Sequence, residues 1–315
     1  MRIGIVGAGP VGSIAAAHLA RAGQEVYLAD IWQEQLRALT EGGVHVEGAL
    51  QADEQVHGGF PRASDLAAVE PEYLILSVKA CMLRSMLPEL AKVVTPRTVL
   101  VSMQNGLDTE EILSHAFNHN KILRFVVNFA GKVLEPGRAY ASFFHPPNHI
   151  GCACRKEDCE DAQELAGMLN GGGLQTTSQR DVKRYVWEKT ILNSSLSPVS
   201  AITGLTMREV METPDTRSIV DSLLSESIKV AARVGYDFGP GFFEYCISYL
   251  ERGGPHKPSM LMDVEARRET EIAFLNGRIA YYGDLVGVAT PMNDMFTRLV
   301  RTLEHRYLPA KAGVA

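Results

Sequence analysis

The sequence lacks both a long apolar run and an excess of basic residues. A bilayer span needs about 20 consecutive apolar residues, and no stretch approaches that length. Lysine and arginine total 31 against 37 aspartates and glutamates, a formal net charge of −6. Proteins that bind nucleic acid or anionic membranes need a basic patch, so the charge argues against both partners. A small anionic substrate stays compatible with it, because one local lysine can bind one carboxylate.

Cysteine is also scarce, and no C-x-x-C pair occurs. The five cysteines are Cys81, Cys152, Cys154, Cys159 and Cys246. The opening MRIGIVGAGP has too short an apolar stretch for a signal peptide, so we expect a cytoplasmic protein with reduced thiols. Three cysteines cluster near His145 and His149, but Cys152 and Cys154 alternate along an apparent strand in HIGCACR. We therefore expect buried thiols and no metal site.

Strand and helix patterns alternate over the first half of the chain. At 315 residues and 46% apolar composition, two domains with proper cores are expected. The predicted strands are Arg2–Val6, Glu25–Asp30, Tyr73–Val78, Val99–Met103, Ile122–Asn128 and His149–Ala153, with helices such as Ser13–Arg21, Leu83–Val93 and Thr109–Phe117. This alternation indicates an α/β fold with a parallel, doubly wound (Rossmann) sheet. We place this dinucleotide-binding domain at residues 1–178.

Helical periodicity dominates after about residue 175, where strand signals largely vanish. The predicted helices are Val186–Ser195, Thr216–Val234, Phe242–Leu250, Met260–Gly287 and Asn293–Tyr307. Residues 179–315 are therefore expected to form an all-α domain that carries the substrate and catalytic residues.

A glycine motif, Gly7-x-Gly9-x-x-Gly12, follows the first strand and opens a helix. The first glycine permits a tight turn, the second lets the backbone approach a pyrophosphate, and the third allows close packing of helix on strand. The helix N-terminus attracts the anion. The motif, with Pro10 and Val11 inside it, predicts a dinucleotide-binding loop. FAD proteins share this motif, but no second flavin segment is recognisable.

Asp30 ends the second strand, about 20 residues beyond the motif. A carboxylate here can bind both ribose hydroxyls of the adenosine and would repel the 2′-phosphate of NADP. Ile31 supplies no compensating positive charge, so NAD is favoured over NADP. The alternative is that Asp30 only caps the following helix.

Two further residues follow predicted strands of the same sheet. Lys79 comes after Tyr73–Val78 in SVKACML, and Asn105 with Gly106 comes after Val99–Met103 in SMQNGLDTEE. Ligands bind at the carboxyl ends of strands in a doubly wound sheet, which makes Lys79 and Asn105 candidate cofactor-binding residues. An exposed loop lysine and an ordinary Asn-Gly turn are the alternatives.

The stretch WEKTILNSSLS carries a polar stripe in a largely apolar helix. Lys189, Asn193 and Ser197 are spaced four residues apart and therefore share one helical face. A core face would not carry these three residues in a row, so the stripe suggests a face that lines a ligand cavity. Farther on, KPSMLMDVEARRETEIAFLNG places Ser259 ahead of a predicted long helix that contains Glu271.

These pieces together resemble the ketopantoate reductase (2-dehydropantoate 2-reductase) family. The matching stretches are GAGPVGS, SVKA, QNG, LEPG, WEKTILN, SMLMDVEARRETEI, the Asn276–Gly277 pair and TPMN, in the family's order along nearly the whole chain. The resemblance implies a Rossmann domain followed by an all-α domain. It also implies that Lys189 is the general acid, that Glu271 is a buried glutamate near nicotinamide and substrate, that Asn193 and Ser259 bind substrate, and that Lys79 and Asn105 are on the cofactor side.

Three positions depart from the family pattern. The family usually has an arginine near the end of the second strand, where this chain has Asp30-Ile31, and this points to NAD. Ser197 replaces a further substrate-side asparagine. Met207-Arg208-Glu209 replaces the family's Asn-Gly-Glu.

The sequence thus predicts a cytoplasmic NAD-dependent oxidoreductase of a small 2-oxo or 2-hydroxy acid, such as 2-dehydropantoate or an analogue. One alternative is a dehydrogenase of the same plan that acts on a different, bulkier alcohol or oxo acid. Another is a non-catalytic sensor of NAD. The expected partner is a small molecule, without nucleic acid or membrane, and a homodimer is the protein assembly to test.

Overall fold

The computed structural model describes residues 1–308, and the chain divides into two compact units. Unit 1 comprises residues 1–104 and 108–185, and unit 2 comprises residues 105–107 together with the chain from Val186 onward. The segment Asn105–Leu107 therefore belongs to the second unit, although both its neighbours along the chain belong to the first.

Unit 1 is built on two sheets. Its strands are β1 (Arg2–Val6), β2 (Glu25–Ala29), β3 (Val44–Gly48), β4 (Ala52–Glu54), β5 (Gly58–Phe60), β6 (Tyr73–Leu76), β7 (Val99–Ser102), β8 (Ile122–Val126), β9 (Phe129–Glu135), β10 (Arg138–Phe144), β11 (Asn148–Cys152) and β12 (Thr176–Ser178). Eight form a sheet in the order β12-β11-β8-β7-β6-β1-β2-β5, and four form a second sheet in the order β4-β3-β10-β9.

Helices surround these sheets and dominate unit 2. They are α1 (Pro10–Arg21), α2 (Gln33–Glu41), α3 (Leu83–Leu90), α4 (Thr109–Ala116), α5 (Glu160–Gly171), α6 (Val182–Thr203), α7 (Met207–Glu212), α8 (Pro214–Val234), α9 (Phe242–Glu251), α10 (Ser259–Glu265), α11 (Asn276–Val286) and α12 (Pro291–Glu304). The predicted order, a Rossmann-type α/β region followed by a helical region, is confirmed. Within residues 1–308, no helix combines the length and hydropathy that crossing a membrane requires.

The large sheet is mixed, which corrects the prediction of a wholly parallel sheet. Strands β5, β2, β1, β6, β7 and β8 run parallel, but β11 runs antiparallel to β8. A helical crossover keeps successive strands parallel. The antiparallel β9–β10 pair stands between β8 and β11 along the chain instead, and β11 returns in the opposite direction.

The small sheet was not predicted, and it explains the composition of α1. This helix packs against β1 and β2 of the large sheet and against all four strands of the small one. Residues Gly12 to Leu19 are all buried, because α1 is covered on opposite sides. A helix enclosed in this way cannot be amphipathic, and its alanines allow the sheets to approach closely.

The predicted long helix Met260–Gly287 is wrong, since α10 and α11 are separate. Arg267 adopts a left-handed conformation with φ of 53°, and the Arg268 N–H donates to the Asp263 carbonyl at 2.8 Å. Such a reversal ends a helix as a C-terminal cap does. Residues 266–275 therefore form a non-helical connection, and Glu271 lies in this connection.

Candidate active site

The glycine motif forms a tight loop between β1 and α1. Gly7 has φ of +102°, and a Cβ on Gly12 would lie 2.0 Å from the Gly7 carbonyl oxygen, so neither position tolerates a larger residue. A Cβ on Gly9 would meet nothing within 4 Å. The open space beside Gly9, above the start of α1, is where a pyrophosphate group would approach the backbone.

Side chains fix the carbonyl groups of this loop. Ser77 Oγ donates to the Gly7 carbonyl at 2.6 Å, and Ser13 Oγ and Gln35 Nε2 both donate to the Ala8 carbonyl at 3.0 Å. No side chain caps the N-terminus of α1, where Pro10 is the first residue. The helix N-terminus therefore keeps its N–H groups for an anion, so this loop fits a dinucleotide.

Asp30 lies directly after β2 and is half-buried beside the loop. Its Oδ2 accepts the Ala8 N–H at 2.6 Å, and its Oδ1 accepts the Trp32 N–H at 2.9 Å, just before α2. Asp30 therefore stabilises both the glycine loop and the turn into α2. Each carboxylate oxygen has further acceptor capacity for a ribose hydroxyl. The neighbouring Ile31 is 81% exposed.

Lys79 lies at the same edge of the large sheet. The strand order reverses at β1, because β2 lies on one side of it and β6 on the other. The strands end in register at Val6 and Leu76, and Lys79 follows three residues after Leu76. This is the topological switch point at which ligands bind in open α/β sheets.

Unit 2 carries the polar stripe of α6. The helix is continuous from Val182 to Thr203, so Lys189, Asn193 and Ser197 do lie along one face. Lys189 and Asn193 are half-buried, and Ser197 is buried. The neighbouring Trp187 turns into the core, where its ring lies 5.3 Å from that of Tyr282.

A second polar pair of unit 2 joins residues that are distant along the chain. Asn105 Nδ2 donates to Glu271 Oε2 at 3.2 Å, and the Leu107 N–H donates to the Phe274 carbonyl at 2.9 Å. Gly106 is packed so closely that a Cβ would lie 2.5 Å from the Phe274 carbonyl oxygen. The short segment 105–107 is thus fixed on the connection that carries Glu271, and it brings Asn105 to the carboxylate.

Two further positions from the family comparison, Ser259 and Glu209, have different surroundings. Ser259 is the exposed first residue of α10. Glu209 caps α7, because Thr206 Oγ1 accepts the Glu209 N–H and Glu209 Oε2 accepts the Thr206 N–H. The T-x-x-E spacing is the sequence signal for such a capping box. Glu209 therefore has a structural role, and the Thr206–Glu209 spacing could have shown it.

A buried ionic network that was not predicted from the sequence lies in unit 1, where it contacts Ser102 and Thr109, the ends of the two chain segments that lead into and out of segment 105–107. Arg124 on β8 and Glu110 on α4 are both buried, with Arg124 Nε 3.5 Å from Glu110 Oε2. Arg124 also donates to the Ser102 carbonyl at 3.2 Å, and the Ser102 and Thr109 hydroxyls lie 2.8 Å apart. This last bond joins the end of β7 directly to the start of α4. An arginine inside the predicted strand Ile122–Asn128 was the available signal.

The cysteines correct one prediction. Cys154 lies beyond the end of β11 and is exposed, and Cys152 and Cys159 are only half-buried, so the expected set of buried thiols is wrong for these three. The strand ends at Cys152, so the alternation does not reach Cys154. Among residues 1–308, no group of three or more histidine, cysteine, aspartate or glutamate side chains is arranged to hold a metal ion.

Comparison with known families matches both halves of the chain. A family model described as ketopantoate reductase PanE/ApbA matches residues 3–153, and one described as ketopantoate reductase PanE/ApbA C terminal matches residues 181–304. The chain belongs to the ketopantoate reductase family. The family consists of oxidoreductases that act on CH–OH groups with a nicotinamide cofactor, and the glycine loop fits such a cofactor.

Individual ketopantoate reductases match nearly the whole chain. The 2-dehydropantoate 2-reductase of Aquifex aeolicus is 29% identical over 309 residues, covering 96% of this chain and 97% of its own. That of Pyrococcus horikoshii is 29% identical over 306 residues, covering 96% and 98%.

Solved structures agree with this match. The ternary structure of D-mandelate dehydrogenase with NADH and anilino(oxo)acetate has a TM-score of 0.84 at 25% identity, covering 98% of this chain and 99% of its own. The 2-dehydropantoate 2-reductase of Methylococcus capsulatus, at 22% identity and a TM-score of 0.86, covers 99% and 100% and shares the fold.

Proposed function

We propose that this ketopantoate reductase-like oxidoreductase transfers hydride between NAD(H) and a small 2-oxo or 2-hydroxy acid, such as 2-dehydropantoate and pantoate or an analogue. The observation that carries this proposal is the composition of unit 2. It combines Lys189 and Asn193 on one helical face with a buried Glu271 that accepts a hydrogen bond from Asn105. A lysine ammonium can polarise a carbonyl and donate a proton to its oxygen, and a carboxylate and two amides can orient the reacting groups.

The loop Gly7–Gly12 and the N-terminus of α1 would hold the pyrophosphate, and Lys79, which follows β6 at the same sheet edge, would contact the cofactor. A bound nicotinamide supplies the hydride. The Lys189 ammonium polarises the substrate carbonyl and donates its proton to the oxygen as the C–O bond becomes single.

The remaining side chains orient the reactants. Asn193 and Glu271 position the substrate and the ammonium, and Ser259 binds the substrate carboxylate. Ser197, which is buried one turn beyond Asn193, offers a single hydroxyl on the same face.

The choice of NAD rests on Asp30 and Ile31. Two backbone N–H groups hold the Asp30 carboxylate rigidly beside the glycine loop. Ribose hydroxyls can donate to its oxygens, whereas the 2′-phosphate of NADP would meet a like charge. The exposed Ile31 supplies no neutralising group.

One observation favours a second candidate substrate, a bulkier aromatic 2-oxo acid. The structure of D-mandelate dehydrogenase with NADH and anilino(oxo)acetate matches this chain over nearly its full length. Ser197 has a smaller side chain than the asparagine that the family usually has at this position, which favours a bulkier substrate. A non-catalytic NAD sensor is disfavoured, because a sensor needs no proton donor such as Lys189.

A substrate panel tests the proposal. The purified protein is assayed with NADH and NADPH against 2-dehydropantoate, small aliphatic 2-oxo acids and phenylglyoxylate, and in reverse with the 2-hydroxy acids. We expect turnover with NADH and at least one of these acids. Tight NADH binding without turnover of any acid would contradict the proposal and favour the sensor. A preference for phenylglyoxylate would select the second candidate substrate.

A further inference from the structure

Helix α6 contains a proline within the stretch that carries the proposed substrate-side residues. Pro198 lies inside the helix, immediately after Ser197. Proline has no N–H, so the carbonyl of the residue four positions earlier loses its helical donor, and the ring pushes against that carbonyl. Here the affected carbonyl belongs to Ser194, which lies between the two proposed substrate-side residues Asn193 and Ser197.

The side chains of the same stretch weaken the helix further. Ser194 Oγ and Ser195 Oγ both donate to the Ile191 carbonyl, at 3.2 and 2.7 Å. Serine bonds of this type compete with the backbone ladder and bend helices. The face that carries Asn193 and Ser197 therefore needs support from outside the helix.

Asn276 provides a donor at this point. It is fully buried, and its Nδ2 donates to the Ser194 carbonyl at 2.8 Å. A carbonyl accepts only from the amide nitrogen, which fixes the orientation of the asparagine. The amide N–H thus takes the place of the backbone N–H that Pro198 lacks.

The rest of the side chain shows that the donor end is what matters. Asn276 Oδ1 is buried with no hydrogen-bond partner among the described residues. An orphaned buried acceptor is unfavourable, and an apolar residue of the same shape would avoid it. Packing alone therefore does not account for an asparagine at this position.

A chain of polar contacts holds Asn276 itself. Its Nδ2 also donates to Asn293 Oδ1 at 3.0 Å, and Asn293 Nδ2 donates to Glu226 Oε2 at 2.8 Å. Glu226 additionally accepts the backbone N–H groups of Met292 and Asn293 at 3.0 Å each, at the start of α12. One residue from each of α8, α12 and α11 thus leads to the Ser194 carbonyl of α6.

Asn276 also lies at the end of the connection that carries Glu271. It is the first residue of α11, five positions after Glu271. The Gly277 N–H donates back to the Ile272 carbonyl at 3.0 Å, so the chain from Glu271 to Asn276 is a compact turn. A single amide therefore ties the Glu271 connection to the helix of Lys189 and Asn193.

We propose that Asn276 is a positioning residue that replaces the helix hydrogen bond missing at Pro198 and thereby holds the Asn193–Ser197 face of α6 in register with the Glu271 connection. This inference rests on the proposed function for its catalytic consequence. The hydrogen-bond replacement itself is independent of that function.

A double-mutant cycle between Asn276→Ala and Pro198→Ala tests the inference. Alanine at 198 restores a backbone N–H for the Ser194 carbonyl, so the second substitution should rescue the first. The equilibrium constant of unfolding, the Kd for NADH and kcat/KM for the best oxo acid are measured for all four proteins. Asn148→Ala is the matched control, because Asn148 is equally buried in unit 1 and also bridges backbone groups.

We expect Asn276→Ala to lower kcat/KM about 10- to 100-fold, since a misplacement of 1 Å can cost about 10²-fold. The Kd for NADH should stay within about twofold of its original value, because the proposed cofactor-binding loop lies in unit 1. Adding Pro198→Ala should recover at least half of each loss on a logarithmic scale, in unfolding and in kcat/KM. The same addition should not rescue Asn148→Ala. If Asn276→Ala alone fails to fold, the double variant should fold.

Two results would overturn the inference. Additive unfolding losses in the cycle, or a double variant that fails to fold, would show that Asn276 does not replace the Pro198 bond. Unchanged kcat/KM per folded molecule of Asn276→Ala would show a purely structural role. If the unsubstituted protein turned over no oxo acid, the proposed function and the positioning role would both fail, while the unfolding cycle would still decide the hydrogen-bond replacement.

Discussion

Asn105 donates a hydrogen bond to the buried carboxylate of Glu271 across 166 positions of the sequence. If the pair acts as a unit in orienting substrate, the effects of Asn105→Ala and Glu271→Ala on kcat/KM should not add. We expect each to lower kcat/KM more than it lowers stability, with a coupling of about 0.5–3 kcal/mol in the double variant. Steady-state kinetics and urea unfolding of the three variants measure both quantities. A Glu271→Ala protein that unfolds readily yet keeps its activity per folded molecule would identify Glu271 as structural.

Lys189→Ala should abolish turnover while the fold and NADH binding remain. Loss of a positioned general acid typically costs about 10²–10⁴ in rate. Circular dichroism, NADH fluorescence titration and kcat on the best substrate check the three parts. Lys229→Ala removes an exposed lysine of α8 and serves as the matched control. A near-normal kcat for Lys189→Ala would remove Lys189 from the mechanism.

Replacing Asp30 by alanine and Ile31 by arginine should shift the preference from NADH towards NADPH, chiefly through KM. A carboxylate about 4 Å from a 2′-phosphate costs about 4 kcal/mol per charge pair at an effective dielectric of 20. Because Asp30 also accepts two backbone N–H groups, the double variant should lose stability, whereas Ile31→Arg alone should not. The measurement is kcat/KM for both cofactors at fixed ionic strength. If the unsubstituted protein used both cofactors equally, Asp30 would only accept the two backbone N–H groups and would not select the cofactor.

Arg124→Leu should destabilise the protein by about 3 kcal/mol, because it leaves the buried Glu110 carboxylate with only the partly exposed Lys183 ammonium, 3.8 Å away. The double variant Arg124→Leu/Glu110→Leu should lose less than the single one, since it buries no uncompensated charge. Arg155→Leu breaks the exposed Arg155–Glu157 pair and should cost about 0–1 kcal/mol. Urea unfolding gives the free energy of unfolding of these three variants and of the unsubstituted protein. An Arg124→Leu loss no larger than that of Arg155→Leu would contradict the prediction.

Acid should destabilise the protein partly through His149. Burial lowers the pKa of His149 to about 4 from an ordinary value near 6.5, and its ring stacks on Tyr185 at 3.7 Å. Between these values the unfolded chain binds the extra proton, so the free energy of unfolding falls as pH drops through that window. His149→Phe keeps a ring and should reduce this slope between pH 6.5 and 4. The exposed His119→Gln should leave it unchanged, and equal slopes in all proteins would refute the assignment.

The parts of the fold with a strong local pattern could be predicted from the sequence. Strand Arg2–Val6 matches its predicted bounds, and the face of Lys189, Asn193 and Ser197 follows from helical spacing. Both depend on interactions between residues close in the chain.

Features that depend on distant contacts were missed. The small sheet pairs β3 with β10, about 90 residues apart, so no local pattern indicated the partner of β3, although VHVEG does alternate apolar and polar residues. The end of α10 is set by a left-handed backbone just beyond it, at Arg267, a residue type that rarely adopts this conformation. The bond from Asn276 to Ser194 spans 82 positions, and only the proline in the helix indicated that a donor was needed.

The segment Asn105–Leu107 affects how the protein can be divided and recombined. A fragment that starts at Val186 would lose Asn105, which donates to Glu271, and would uncover the Phe274 carbonyl that accepts the Leu107 N–H. In chimaeras with related reductases, the helical half should therefore be exchanged together with the matching three residues from the loop after β7, even though they are encoded some 80 codons upstream.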